Sequence, residues 1–403
     1  MTMTALIETV EANGKMPEGD VPLPLRLQTV IWNALGPGSV GYTVTELLDN
    51  TPPPADRRLW VLGGRREYWR PYVRRALPPV AFRALCRVGV SAPAQGRIAS
   101  RRVLNSLRPG DILYMWPPYD AALMERARDR GAIVVAERIN CMAEMGRDAL
   151  QRAYGRRGLP LPKGWFEASD IAHERDQMLL CDLIFAPNAP VAESARIAGI
   201  PAEKILDASY GFSPKRLANA IGIRRPARDP VFAFVGLGIV RKGIDVLLEA
   251  WDLADIEGTL LIAGRVDEEI RQFYASTLER NDVQELGHVN DIARVYSAAD
   301  VFVFPSHEEG GPQVTYEAAA CGLPCIVSPM GAGRLVRDTS EGLLVDPCSV
   351  DQLACAVTRL AHDVAFRKEL GANAEARARE FTWSKVAARR YGQLCDAVCK
   401  RIS

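Results

Sequence analysis

Glu309 and Glu317 stand in the run Pro305 to Pro324 with seven residues between them. Glu309 belongs to a loop with Gly310 and Gly311, just after the apolar run Val301 to Phe304, and Glu317 is expected a turn or more inside the helix that follows. A strand, a glycine loop and a helix N-terminus present free N–H groups and the positive end of a helix dipole, which suits a phosphate or a sugar. Two carboxylates do not suit phosphate. They suit hydroxyls, because an ionised carboxylate only accepts hydrogen bonds. A ligand that offers both hydroxyls and phosphate is a nucleotide sugar.

A second set of residues supplies cations. The run Val231 to Val235 reads as a strand that ends in Gly236 and Gly238, followed by Arg241 and Lys242 before a helix. The glycines let a ligand approach the backbone, and either cation could neutralise a leaving diphosphate. A dinucleotide fingerprint G-x-G-x-x-G begins in the same way, but Arg241 stands where its third glycine belongs. Cations at a helix start are unfavourable by themselves, so a bound anion explains them better than a solvated surface does. In the first half, Ala136 to Asn140 ends another apolar run. Glu137, Arg138 and Asn140 are expected to reach a cleft and meet sugar or acceptor, the alternative being a local helix cap. The loop Leu35 to Thr43, with Gly38 at its centre, is expected under the phosphates or the acceptor, unless it is only a turn.

These residues need a scaffold, and 403 residues suggest two domains. Short apolar runs alternate with amphipathic stretches, the pattern of an α/β chain with parallel sheets. Strands are expected at Leu27–Trp32, Leu59–Leu62, Asp111–Tyr114, Ala132–Ala136 and Leu183–Ala186. A second series falls at Val231–Val235, Gly258–Ala263, Val283–Leu286, Val301–Phe304, Pro324–Val327 and Gly342–Val345. The divisions are a tail over 1–22, a domain over 23–223, a charged and proline-punctuated linker over 224–230, and a domain over 231–403 closing in a long helix. Two doubly wound domains then face one another, with the ligand site in the cleft outside the carboxyl ends of their strands.

Composition narrows the partners. Net charge is +1, which argues against a dedicated nucleic-acid binder, yet residues 1–220 hold 29 Lys and Arg against 23 Asp and Glu. Seven arginines between Arg65 and Arg87, with Tyr68, Trp69, Tyr72 and Phe82 among them, suit the face of an anionic membrane or a solvated helical surface. Nine scattered cysteines and four histidines, without a C-x-x-C pair, point to reduced cytosolic thiols rather than a zinc site. No apolar run approaches the ~18 residues of a membrane span, and the acidic start Met1 to Pro22 does not read as a signal peptide. A cytoplasmic protein, peripheral on a membrane at most, is expected.

The motifs together resemble the retaining glycosyltransferases of the GT-B fold, in the large group 1 family (glycosyltransferase family 4). The second domain carries the likeness. It runs from Val235-Gly236, Lys242-Gly243 and Leu247-Leu248-Glu249-Ala250 through Glu285-Leu286-Gly287-His288-Val289 and Tyr296 to Ser306, then the paired glutamates, Gly342 to Pro347 and Phe381-Thr382-Trp383. The first half matches in layout, with local echoes. The resemblance implies transfer of a hexose-type sugar from a nucleoside-diphosphate sugar to a hydroxyl of a sugar, lipid-linked or small-molecule acceptor, with retention and without metal or cofactor. It implies that Lys242 binds the diphosphate, Glu309 the transferred sugar beside the Gly310 and Gly311 N–H groups, and Glu317 the ribose. The family usually has Arg after the strand-ending glycine, where this chain has Leu237; Arg241 is expected to supply the missing cation. Two alternatives share the cleft: a GT-B epimerase or phosphorylase, and a non-catalytic nucleotide-sugar-binding protein, for which Leu237 is the hint.

Overall fold

The computed structural model describes residues 25–32, 35–36, 40–222 and 229–402. The expected tail, Gly38 and residues 224–228 of the expected linker lie outside these.

Thirteen strands are seen among the described residues, in two parallel sheets. The first contains β1 (Arg26–Val30), β2 (Asp56–Val61), β3 (Val73–Arg75), β4 (Ile112–Met115), β5 (Ile133–Glu137), β6 (Leu183–Ala186) and β7 (Ile205–Asp207). Their order is β3-β2-β1-β4-β5-β6-β7. The second contains β8 (Val231–Val235), β9 (Thr259–Ala263), β10 (Val283–Gly287), β11 (Val301–Phe304), β12 (Cys325–Val327) and β13 (Gly342–Leu344), ordered β10-β9-β8-β11-β12-β13. Central strands such as Val-Phe-Val-Phe in β11 are buried throughout because helices cover both faces of a parallel sheet. In each sheet the chain reverses its direction of progress once, between β1 and β4 and between β8 and β11. A crevice opens at such a point, and it is where ligands bind.

The strands expected from the apolar runs are present, several with ends shifted by a residue or more. β3 and β7 were not expected. Each has three residues, lies at a sheet edge and is partly exposed, so neither shows the apolar alternation that marks a strand.

The closing helix Trp383–Ile402 differs from expectation in its place. It follows the second domain in sequence but packs on the first. Trp383, Val386, Tyr391, Leu394 and Val398 form one buried stripe at helical spacing. The Tyr391 hydroxyl accepts from the Leu25 N–H at 3.2 Å, and the backbones of Phe212 and Trp383 pair at 3.1 Å. Ion pairs also join the domains: Arg156 donates to the fully buried Asp245 at 2.6 Å, and Arg157 to Glu269 at 2.7 Å. These ties fix how the two strand-end edges meet.

Candidate active site at the domain boundary

Both cationic and carboxylate motifs leave the second sheet side by side, because β8 and β11 are neighbours. After β8 the backbone turns at Gly236, whose φ of +151° favours glycine, and a short turn Val240–Lys242 leads into the helix Ile244–Ala254. After β11 the loop Pro305 to Pro312 leads into the helix Gln313–Ala320. This brings the Lys242 ammonium into direct contact with the Glu309 carboxylate, the two side chains being 12% and 13% exposed. The ammonium also lies 5.5 Å from the centre of the Phe304 ring. Burial, with Arg241 behind it, pulls Lys242 well below its usual range; a carboxylate in contact favours the charged form.

Glu317 is the fifth residue of its helix and is buried. Its carboxylate accepts from the Tyr296 hydroxyl at 3.1 Å and from Arg216 of the first domain at 2.8 Å. Burial raises its pKa, and Arg216 and Tyr296 pull it back. Arg216 in turn lies over the Tyr42 ring at 5.5 Å. Beside it, Thr43 accepts from the Gln313 side chain. The starts of the helices Val40–Asp49 and Gln313–Ala320 therefore face each other across the boundary.

Arg241 is placed differently from expectation. Its guanidinium donates to the Glu308 carboxylate at 3.0 Å and to the Glu308 carbonyl at 3.2 Å. Glu308 is buried and also accepts from the Asn140 side chain at 3.0 Å and the Cys141 N–H at 3.2 Å. It ties the domains together, a role that the Glu308-Glu309 doublet did not reveal. Gly310 and Gly311 share in that tie. A Cβ on Gly310 would lie 1.8 Å from the Ile139 carbonyl oxygen, and one on Gly311 would lie 2.1 Å from the Tyr210 ring. Gly238 is similarly pressed, with Val266 Cα 2.9 Å from a hypothetical Cβ. Leu237, where the resemblance expects arginine, is half exposed.

In the first domain, Asn140 reaches the boundary, but Glu137 and Arg138 do not reach an open cleft. Glu137 is fully buried and accepts from Arg390 at 2.7 and 3.0 Å and from the Tyr114 hydroxyl. Arg138 is buried and donates to Glu174 and to the Cys141 carbonyl, each at 2.7 Å. Burial at the domain junction turns both into structural ties. The basic stretch is also partly locked: Arg70 pairs with Asp49 at 2.9 Å, and Arg75 lies over Trp69 at 4.5 Å. Arg65, Arg83 and Arg87 remain exposed.

Residues 229–363 match the family described as group 1 glycosyl transferases. The second domain is a group 1 glycosyltransferase domain. A solved structure of Anabaena HepE, in complex with UDP and glucose, superposes on this chain with a TM-score of 0.66 at 16% identity, covering 92% of this chain and 99% of that one. Sucrose-phosphate synthase from Thermosynechococcus elongatus superposes with a TM-score of 0.69 at 19% identity, over 94% and 100%. The fold is GT-B. Among curated relatives, the N,N'-diacetylbacillosaminyl-diphospho-undecaprenol alpha-1,3-N-acetylgalactosaminyltransferase of Campylobacter jejuni is 26% identical over 43% of this chain and 46% of its own. The chain spans less than half the length of the first curated relatives it matches.

Proposed function

We propose that this chain transfers a hexose-type sugar from a nucleoside-diphosphate sugar to an acceptor hydroxyl, with retention and without a metal. The observation that carries this is the Lys242–Glu309 contact at the β8–β11 crevice, set in the segment that matches the family. Lys242 would neutralise the leaving diphosphate while Glu309 turns to the hydroxyls of the sugar. Glu317 would take the ribose hydroxyls once Arg216 moves aside. Positive charge grows on the sugar ring and negative charge on the diphosphate as the bond breaks, so fixed charges at these two points stabilise the transition state. Uridine is the favoured base, because HepE was solved with UDP.

The acceptor is proposed to be lipid-linked, as the name of the Campylobacter relative states for that enzyme. An anionic membrane would meet the helix Pro79–Arg87, which has no buried residue. Val80 in that helix and Val88 just after it are 71% and 75% exposed, Arg83 and Arg87 are exposed as well, and Ile98 of the next helix, Ala92–Leu104, is 56% exposed. No helix among the described residues is long and apolar enough to cross a membrane. No disulfide joins the cysteines among the described residues, which supports placing the enzyme in the reducing cytoplasm, at the membrane face.

Thermal shift with UDP-, GDP- and ADP-sugars tests the donor, because a ligand that binds the folded state raises its apparent stability with concentration. One donor class should shift the wild type and release its nucleoside diphosphate faster when acceptor is added. No shift with any nucleotide sugar would overturn the reading. A shift without release under any acceptor would favour the non-catalytic binder that Leu237 suggests. Co-sedimentation with anionic vesicles at low and high salt tests the membrane face, since screening weakens surface attraction.

A further inference from the structure

A groove opens at the same domain boundary but away from the Lys242–Glu309 contact. It has two adjoining chambers of about 500 and 610 Å³, and Lys242, Glu309 and Glu317 line neither. The first domain walls it with the helices Ala143–Arg156 and Ala189–Ile197, and the second with the exits of β11, β12 and β13. The chambers share Arg152 and His307. His307 stands two residues before Glu309 in the same loop. Its side chain is 3% exposed, and its Nε2 has no hydrogen-bond partner among the described residues. Its Nδ1 lies 3.9 Å from the Cys348 sulfur. Arg152 is exposed and has no ion pair among the described residues.

The lining chemistry selects a ligand class. Arg152 is the one cation against Glu144, Asp148 and Asp346. Arg147, outside the groove, offsets Glu144 and Asp148 from 4.0 and 3.2 Å. Such a groove has no excess of positive charge with which to hold a diphosphate. Its other walls are apolar: Met145 and Ile197 on one side, Pro329 and Pro347 on the other. Apolar facets beside interleaved donors and acceptors fit a neutral saccharide, whose C–H faces lie on the apolar surface while its hydroxyls both donate and accept. Each chamber is within the usual size of a small-molecule site, about 300–1,000 Å³.

We propose that this groove holds the sugar portion of the acceptor; the proposal rests on the glycosyltransferase reading above. The loop from His307 to Glu309 then joins the two substrates. An acceptor hydroxyl oxygen bonds to the anomeric carbon, the bond from that carbon to the diphosphate breaks, and the hydroxyl proton leaves with the diphosphate. Arg152 and the groove wall orient the acceptor and touch no donor atom.

Saturation-transfer NMR with methyl α-glucoside, methyl α-mannoside and the methyl glycoside of N-acetylglucosamine tests this, in the presence of whichever of UDP or GDP shifts the wild-type melting temperature more. At least one glycoside should give a signal that the nucleotide leaves in place. Ile197→Trp, which fills a chamber from a position that is 63% exposed, and Arg152→Ala should each cut that signal at least fivefold. The nucleotide thermal shift of each variant reports that the fold and the donor site are intact. Nucleotide binding without any glycoside signal would overturn the groove assignment and leave the donor reading standing. A glycoside signal that survives both variants, or that the nucleotide abolishes, would also overturn it. Failure of wild type to bind any nucleotide would overturn both.

Discussion

Glu137 and Glu309 both stand at the exit of an apolar parallel strand at the domain boundary, the first as its last residue and the second in the loop beyond, yet the structure gives them opposite fates. Glu137 ends β5 with both oxygens filled by Arg390, 253 residues away, and the Tyr114 hydroxyl beside them. It is fully buried. Glu309 meets one lysine from the neighbouring strand exit and keeps 13% of its side chain exposed. A carboxylate whose acceptor positions are all met by fixed donors is a structural tie. One that faces a single flexible ammonium at the rim of a crevice retains lone pairs for a ligand's hydroxyls, and its partner can turn to a phosphate.

The sharpest way to break this comparison is at Arg390. Arg390→Ala leaves the Glu137 carboxylate buried without its counter-ion and should cost about 3–5 kcal/mol in stability, read by urea unfolding. Arg390→Met with Glu137→Leu should recover most of that loss, because the pair is replaced rather than broken. An Arg390→Ala variant as stable as wild type would remove the distinction between the two glutamates.

Glu309→Gln should act on rate instead. Turnover is expected to fall by about 10²–10³-fold, as when a single transition-state contact is removed, while nucleotide affinity changes by no more than about threefold. Equal losses in affinity and turnover would return Glu309 to the same class as Glu137.

His307 extends the comparison to a base. Burial, with Arg156 and Arg152 nearby, lowers its pKa from 6.5 to about 4. A depressed folded-state pKa means that the unfolded chain takes up the proton first as pH falls. The stability is therefore complete above pH 6.5 and is lost progressively between 6.5 and about 4. The loss amounts to about 3 kcal/mol at most. His307→Leu should flatten that part of the pH–stability curve, and an unchanged slope would assign the acid sensitivity to other groups.

The smallest expected effect separates Arg241 from Lys242. Arg241 is held by Glu308, so Arg241→Ala should lower kcat/KM by about tenfold through a weakened domain tie worth about 1.5 kcal/mol. Lys242→Ala should lower it by about a hundredfold, as the loss of a charge-assisted contact to the diphosphate. The reverse order would restore Arg241 to the diphosphate, where the sequence pattern places it.

Much of the framework was legible because it is local. Apolar runs of four to five residues such as Val231–Val235 and Val301–Phe304 show a buried strand directly, since both of their faces must be covered. The glycine loops and the glutamate spacing were legible for the same reason: a strand exit, a turn and a helix start adjoin in the chain. What fell short depends on partners far away. Nothing near Glu137 announces Arg390, and nothing near Arg241 distinguishes a ligand phosphate from Glu308, 67 residues on. Gly310 and Gly311 read as a ligand loop, whereas their lack of a Cβ also admits Ile139 and Tyr210 of the other domain.

The sequence by itself therefore determined the two-sheet α/β plan, the β8 and β11 exits and the residues Lys242, Glu309 and Glu317 that follow those exits. Period, glycine content and capping act over a few residues, and they decide which elements form and what their ends present. Tertiary structure alone decided that the last helix returns to the first domain, that Glu308 and Arg216 reach across the boundary, and that Glu137 is sealed while Glu309 stays at the rim. The physical reason is that a charged side chain's role is set by which other groups fill its hydrogen-bonding positions and by how much water remains, and both are properties of the assembled domains.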